Sequence, residues 1–152
     1  MSPPTIRDVT EVDFLVGQVV KAIHYYGALR IVFDEGDRPE PALYADLETP
    51  FTYVDAAANR YPIVPWEPAS VGAALTIHGR TVHRVSTDSG ALELAFTDGS
   101  SIRCEPHDEY EAWHVVGGFP QHLVVCTPGG ELAIWDDQST VETIRLRDLR
   151  SE

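Results

Sequence analysis

Short stretches in which apolar and polar residues alternate recur along the chain. Residues 28–34 and 91–97 show the pattern most clearly, because every second residue is a large apolar one and the last of these is phenylalanine. Side chains of a strand point alternately to its two faces, so this pattern predicts strands with one buried face. The predicted inward residues are Val20, Leu29, Ile31, Phe33, Val82, Leu92, Leu94, Phe96, Val124, Cys126 and Ile134.

Turn-forming residues mark the ends of these strands. Glu35-Gly36 and Asp98-Gly99 follow the two phenylalanines, and glycine adopts the positive φ that a tight hairpin requires. Pro128-Gly129-Gly130 fits a type II turn, in which proline precedes a glycine of positive φ. Further strands are predicted around these turns, over residues 42–48, 51–54, 100–105, 110–116, 122–127 and 131–135.

The chain also matches itself at an offset of 62 to 63 residues. Residues 17–20 align with 79–82, and residues 28–36 align with 91–99. Self-similarity at a fixed offset indicates an internal repeat. We therefore expect one domain over residues 1–152, with repeat A at about 14–55, a linker and short helix at about 56–78, repeat B at about 79–136 and a tail at 137–152.

The segment between the repeats predicts a linker followed by a helix. Residues 56–69 contain three prolines and Trp66, which favours a linker packed on the surface. Ser70 is expected to cap a short helix over residues 71–77, and Gly79 to end it. In the tail, residues 139–142 have the form of a capping box but the next residues alternate as in a strand, so its structure stays unassigned.

These elements predict a mainly β (α+β) fold. Two repeated antiparallel β-meanders of about four strands each would pack as a sandwich or an open barrel, with one short helix between them.

Composition narrows the function classes. With 11 Lys+Arg against 24 Asp+Glu, the chain has a formal net charge of −13, which argues against binding nucleic acid or an anionic membrane surface. With 43% apolar residues it can bury a core, so global disorder is excluded. Acidic residues early in the chain interrupt any export signal, and we expect a cytoplasmic protein with Cys104 and Cys126 as free thiols.

A family assignment is supported by two short sequence motifs, Tyr110-Glu111-Ala112-Trp113 and Pro128-Gly129-Gly130-Glu131-Leu132-Ala133. Together they resemble a family of short, uncharacterised actinobacterial proteins of unknown function. The resemblance covers residues 14–136 and is strongest over 79–135. It implies no activity, no cofactor and no site residues.

A zinc site is the first chemistry that the residues suggest. Cys104-x-x-His107 and His122-x-x-x-Cys126 supply ligands of the right type. However, His122 and Cys126 would lie about 13 Å apart on a strand, too far to bind one ion. No metal and no cofactor are therefore predicted.

A second candidate site lies where titratable and aromatic side chains crowd into residues 107–114. Carboxylates beside an imidazole can perform acid-base chemistry if burial separates their pKa values. Packing of Trp113 into the core or its rim is the favoured alternative for that residue, because its ring is large and apolar. The candidate binding residues are Asp108, Tyr110, Glu111, Trp113 and His114.

No catalytic residue is predicted, because the chain contains neither a nucleophile elbow nor a phosphate-binding loop. The leading hypothesis is a non-catalytic interaction module that binds a basic protein partner, such as a toxin or nuclease, with its oligomeric state open. The alternative is a ligand-binding or hydrolytic pocket near Tyr110–His114. The acidic residues at predicted turns are Asp34, Glu35, Asp37, Glu40, Asp108, Glu109, Glu111, Asp136 and Asp137.

Overall fold

The computed structural model describes residues 11–34, 42–117 and 122–136. Eleven strands in this part of the chain form two antiparallel sheets. They are β1 (Ala22–Tyr25), β2 (Leu29–Asp34), β3 (Leu43–Leu47), β4 (Phe51–Val54), β5 (Arg60–Ile63), β6 (Val82–Ser86), β7 (Leu92–Phe96), β8 (Ser101–Cys104), β9 (Trp113–Gly117), β10 (His122–Cys126) and β11 (Leu132–Asp136).

The strand order shows that the chain crosses between the sheets twice. One sheet has the order β1-β2-β3-β9-β10-β11 and the other β5-β4-β8-β7-β6. After β3 the chain crosses to place β4 beside β8, and after β8 it crosses back to place β9 beside β3. This is the predicted mainly β fold of two antiparallel sheets in a sandwich, and neither sheet closes into a barrel over the described residues.

The segment between β4 and β6 differs in detail from the sequence-based expectation. The predicted short helix is present, but it starts earlier, as α1 (Pro68–Val71), and continues as a 3₁₀ helix over Gly72–Ile77. Ser70 lies inside α1 rather than at its cap, and its hydroxyl donates to backbone carbonyl oxygens. Residues 60–63, expected in the linker, form the edge strand β5, where Pro62 is tolerated because an edge leaves one side unpaired.

The core lies between the two sheets and confirms the predicted alternation. Ten of the eleven residues predicted to point inward are buried: Val20, Leu29, Ile31, Phe33, Val82, Leu92, Leu94, Phe96, Val124 and Cys126. The eleventh, Ile134, is partly buried and packs against the same cluster. Cys104 and Cys126 are buried free thiols, as expected.

An antiparallel pairing joins the edge strands β1 and β6 of the two sheets just before each begins. The bridge is between Val19 and Thr81, which the sequence alignment matches at an offset of 62. The surrounding hydrogen bonds occur in equivalent pairs. Gly17 N donates to Val82 O and Gly79 N to Val20 O, each over 2.8 Å, while Val20 N donates to Arg80 O and Val82 N to Gln18 O over 2.9 and 2.8 Å.

The hairpin turns that fall on described residues follow the predicted chemistry. Gly129, after Pro128, has a φ of +92°, and Gly130 N donates to Thr127 O, as in a type II turn. Gly99 has a φ of +93° in the β7–β8 turn. Glu35-Gly36 and the capping-box pattern at 139–142 lie outside the described residues.

Gly90 connects the two sheets at one end of the sandwich. Its carbonyl oxygen accepts the Trp113 indole N–H over 2.9 Å and lies 3.3 Å from the Cys126 thiol sulfur. Its α-carbon faces the β10–β11 turn so closely that a Cβ would collide with the Gly130 backbone. The segment before β7 therefore packs directly against the opposite sheet.

We predict that Gly90→Ala destabilises the protein by about 3 kcal/mol, because a side chain at positive φ costs roughly 1 kcal/mol and the collision with Gly130 about 2 more. Gly99→Ala is the matched control. It has the same sign of φ but open space around its α-carbon, so it should cost only about 1 kcal/mol. Urea unfolding of both variants measures the difference, and equal losses would contradict the close approach at Gly90.

Candidate functional site

An acidic loop, residues 105–111, lies at the end of the sandwich where Gly90 contacts the opposite sheet. It carries Glu105, Asp108, Glu109 and Glu111, all exposed, and no lysine or arginine. Gly129 N donates to His107 O over 2.9 Å, and the Pro106 ring lies against Gly130. The loop is therefore fixed to the β10–β11 turn and presents its carboxylates to solvent.

Tyr110 lies in the acidic loop, between Glu109 and Glu111, and is 62% exposed. Its ring centroid lies 5.0 Å from that of His107, and the Nδ1 atom of His107 accepts the backbone N–H of Glu109 over 2.9 Å. An aromatic side chain supported from one side and exposed on the other offers apolar contact area with little conformational freedom to lose.

Trp113 does not belong to the exposed surface. It is 0% exposed and begins β9, with its indole pointing into the core. The predicted strand over residues 110–116 is wrong at its start, since Tyr110 and Glu111 lie outside any strand. Of the five predicted binding residues, Asp108, Tyr110 and Glu111 share the acidic loop, while Trp113 and His114 lie on β9.

His114 instead joins a network around Asp46 on the outer face of the six-stranded sheet. Asp46 is only 1% exposed and accepts two hydrogen bonds from Arg30, over 2.7 and 2.9 Å. The Tyr26 hydroxyl donates to it over 2.5 Å, and the Nε2 atom of His114 lies 3.2 Å from the same oxygen. The other ring nitrogen of His114 lies 3.4 Å from Glu48.

The network changes the acidity of its members. Burial alone would raise the pKa of Asp46, but the hydrogen bonds from His114, Arg30 and Tyr26 hold it well below its usual range. Burial, with the Asp46 bond, raises the pKa of Tyr26 to about 12. Burial also raises the pKa of Glu48, with the charges of Asp46 and Glu111 adding to the effect and that of His114 opposing it.

Asp46, Glu48 and His114 place metal-type donor atoms within 4.8 Å of one another. The two Cys and His pairs considered from the sequence take no part in this group. Arg30 already places a cation on Asp46, and its guanidinium also stacks on Tyr44, 3.9 Å from the ring centroid. A second cation beside this guanidinium would be repelled, so the arrangement favours a self-contained ion-pair network over a metal centre.

A cleft of about 480 Å³ lies elsewhere, between the β4–β5 turn and the 3₁₀ helix. Its polar groups are paired with each other. Tyr53 and Thr76 hydroxyls lie 2.8 Å apart, and Arg80 lies 3.1 Å from Asp98. Neither Glu111 nor His114 lines it.

Comparison with known protein families shows which family the chain belongs to. Residues 11–136 match the model of a family of unknown function, DUF6188. The chain belongs to this family. Neither a curated protein nor a solved structure matches it. No helix among the described residues of this DUF6188 member is long and apolar enough to cross a membrane.

The Asp46 network was not expected from the sequence. The sequence feature that could have indicated the network is an acidic residue within a strand. In this DUF6188 member Asp46 interrupts the apolar β3 and shares a face with Tyr44. Its partners Arg30 and His114 are directly opposite it on β2 and β9. Those pairings join residues far apart in sequence, so the sequence alone did not bring them together.

We predict that Asp46→Asn destabilises the protein by about 2 kcal/mol at neutral pH, because Arg30 loses its carboxylate partner but is itself partly exposed. The pKa of Asp46 is lower in the folded than in the unfolded chain. Its stabilisation is therefore present above about pH 4 and lost as the pH falls through and below that value.

Chemical unfolding at a series of acidic pH values measures this loss. Wild type should lose more stability on acidification than Asp46→Asn. Glu67→Gln, which removes an exposed carboxylate outside the network, serves as the control and should keep the wild-type slope. Identical slopes in wild type and Asp46→Asn would contradict the stabilising role of Asp46.

Proposed function

We propose that this protein is a non-catalytic interaction module that binds a basic protein partner through the acidic loop. The observation that carries the proposal is the 62% exposure of Tyr110 amid four exposed carboxylates. Binding surfaces commonly combine an aromatic anchor with charges around it.

Among the residues that the structure describes, only one carboxylate of the acidic loop pairs with a cation. Arg103 lies 2.7 Å from Glu105, but it also pairs with Glu93 over 3.0 Å on the five-stranded sheet. Glu48 lies close enough to Glu111 for the charge of Glu111 to raise the pKa of Glu48, and Glu131 is exposed after the β10–β11 turn that holds the loop. Such a surface attracts positive charge at long range and accelerates association with a basic partner at low salt.

The base of the loop supports the same proposal. Ala112 and Trp113 are buried directly after the loop, and the Gly90 contact fixes the neighbouring segment. A surface that is ordered before binding loses less conformational entropy when a partner binds. A basic toxin or nuclease is one partner class with the required charge.

We predict that Tyr110→Ala weakens binding of such a partner by about 2 kcal/mol, or roughly 30-fold, because the anchor is lost. Trp66→Ala, which removes another exposed aromatic side chain, is the matched control and should bind as wild type does. The experiment uses the tagged full chain to capture proteins from a bacterial lysate at low salt, followed by affinity measurement with each purified partner.

The proposal is supported if a basic partner is captured and binds the Tyr110→Ala variant more weakly than wild type. At low salt, the same partner should also bind the Glu111→Gln variant more weakly. Partners that are neutral or acidic, or that bind Tyr110→Ala as tightly as wild type, would overturn the proposal.

A second candidate is a ligand-binding or hydrolytic site near Tyr110–His114, and the favouring observation is the position of His114 between two carboxylates. Buried Asp46 would orient the imidazole, and Glu48 would share its proton. Fragment screening by NMR tests it. Shift changes at His114 and Glu111 would favour this candidate, and changes confined to the Tyr53–Asp98 cleft would oppose it.

We also infer that the two halves of the chain derive from one duplicated unit. The order β1-β2-β3-β9-β10 in one sheet corresponds to β6-β7-β8-β4-β5 in the other. The Val19–Thr81 bridge, which pairs aligned residues, supports a two-fold relation between the halves. The cytoplasmic location and the actinobacterial distribution of the family remain predictions from the sequence.

A further inference from the structure

The cleft between the β4–β5 turn and the 3₁₀ helix has the dimensions of a small-molecule site. Its volume of about 480 Å³ falls within the range of pockets that hold ligands. The apolar part of its lining consists of the rings of Tyr53 and Tyr61 and the methyl groups of Ala56, Ala57 and Ala73. The two rings stack with their centroids 5.7 Å apart. The cleft therefore offers a ligand a limited apolar area, and the rest of its wall is polar.

The charged side chains that line the cleft already have partners within it. Asp55 accepts four hydrogen bonds, from two backbone N–H groups, the Asn59 amide and the Tyr61 hydroxyl. Asp98 faces Arg80, whose Nε atom lies 3.1 Å from the Asp98 Oδ2 atom. A cationic ligand would compete with these donors, and an anionic ligand would be repelled by the two carboxylates. The cleft therefore favours a neutral ligand.

Both tyrosine hydroxyls in the cleft can still accept a hydrogen bond. Hydrogen bonds from the backbone, and then from side chains, hold the pKa of Asp55 below its usual range, so Asp55 is ionised and Tyr61 donates to it. The Thr76 hydroxyl donates to a backbone carbonyl oxygen over 3.0 Å, so Tyr53 donates to Thr76. Each phenol has one proton, and both protons are used. The oxygens of Tyr53 and Tyr61 therefore act only as acceptors toward a ligand.

Arg80 supplies the matching donors. Its backbone is fixed, because Arg80 N donates to Ile77 O and Arg80 O accepts from Val20 N, each over 2.9 Å. Its Nε atom faces Asp98, whereas its terminal nitrogens Nη1 and Nη2 form no hydrogen bond within the part of the chain that the structure describes. The partly exposed guanidinium therefore directs free N–H groups toward a ligand in the cleft.

We propose that this cleft binds a neutral saccharide unit. A sugar ring carries hydroxyl groups that both donate and accept hydrogen bonds, together with C–H groups that pack on small apolar surfaces. Its hydroxyls would donate to the oxygens of Tyr53 and Tyr61 and accept from Arg80, while its C–H groups contact the alanine methyl groups. None of the acidic-loop residues, all of which the structure describes, lines the cleft. The site is therefore separate from the proposed protein-binding surface.

Titration of the isotope-labelled full chain with neutral sugars, followed by NMR, tests the proposal. The probes are glucose, galactose, mannose, N-acetylglucosamine and maltose, each raised to a high millimolar concentration. At least one of them should shift the amide signals of Ala57, Ala73 and Thr76, which line the cleft. The signals of Glu109 and Glu111, in the acidic loop, should stay unchanged.

Two variants test the roles of the polar groups. Arg80→Met, which removes the free donors, should weaken binding of the sugar about tenfold. Tyr61→Phe, which keeps the stacked ring but removes an acceptor, should weaken it about fivefold. Arg84→Met is the matched control, because Arg84 is exposed on β6 and does not line the cleft, and it should bind as wild type does. If the spectrum of Arg80→Met changes outside the cleft, the affinity of Tyr61→Phe decides.

Titrations with methylammonium chloride and with inorganic phosphate report whether the cleft prefers a charged ligand. The proposal is overturned if either salt shifts the cleft signals and no sugar does, or if none of the probes shifts them. It is also overturned if the sugar shifts only signals of the acidic loop, or if both Arg80→Met and Tyr61→Phe bind the sugar as tightly as Arg84→Met.

Discussion

The pairing of residues 17–20 with residues 79–82 is the constraint on which the architecture depends. Four backbone hydrogen bonds and the Val19–Thr81 bridge fix the start of β1 against the start of β6, and so fix the two sheets along one side. The crossings at β3–β4 and β8–β9 then complete each sheet with strands from the other half. Because β9 and β10 continue the sheet that β1–β3 begin, neither half can build its sheet alone.

The crossing of the chain between the two sheets also determines where the acidic loop lies. Residues 105–111 form the connection from β8 to β9, so the loop must pass from one sheet to the other at an end of the sandwich. Trp113 and Gly90 join the two sheets beneath it. A connection held at both ends by packed strands can carry exposed charged residues in a fixed position, which is why loops on rigid sheets so often bind partners.

The outer face of the six-stranded sheet has a different character. Arg30, Asp46 and His114 occupy adjacent strands and satisfy one another, with Tyr26 and Tyr44 around them. A buried carboxylate is costly without partners, so the network stabilises the sheet only while all its members are present. Next to it, the face becomes apolar on β10 and β11, so a single sheet face combines an ion-pair network with an apolar surface.

The sequence by itself determined eight of the eleven described strands, the Gly129 and Gly99 turns, the buried faces and the net negative charge. These depend on period-two alternation and on the backbone freedom of glycine, which are local properties. Only the tertiary structure decided that β4 and β9 change sheets, that β5 joins an edge and that Asp46 meets Arg30 and His114. These depend on which strands pair, and such pairing is set by packing between residues distant in sequence. Trp113 depends on local and long-range properties alike. Its size predicted burial from the sequence, and the long-range contact with Gly90 decided where the side chain lies.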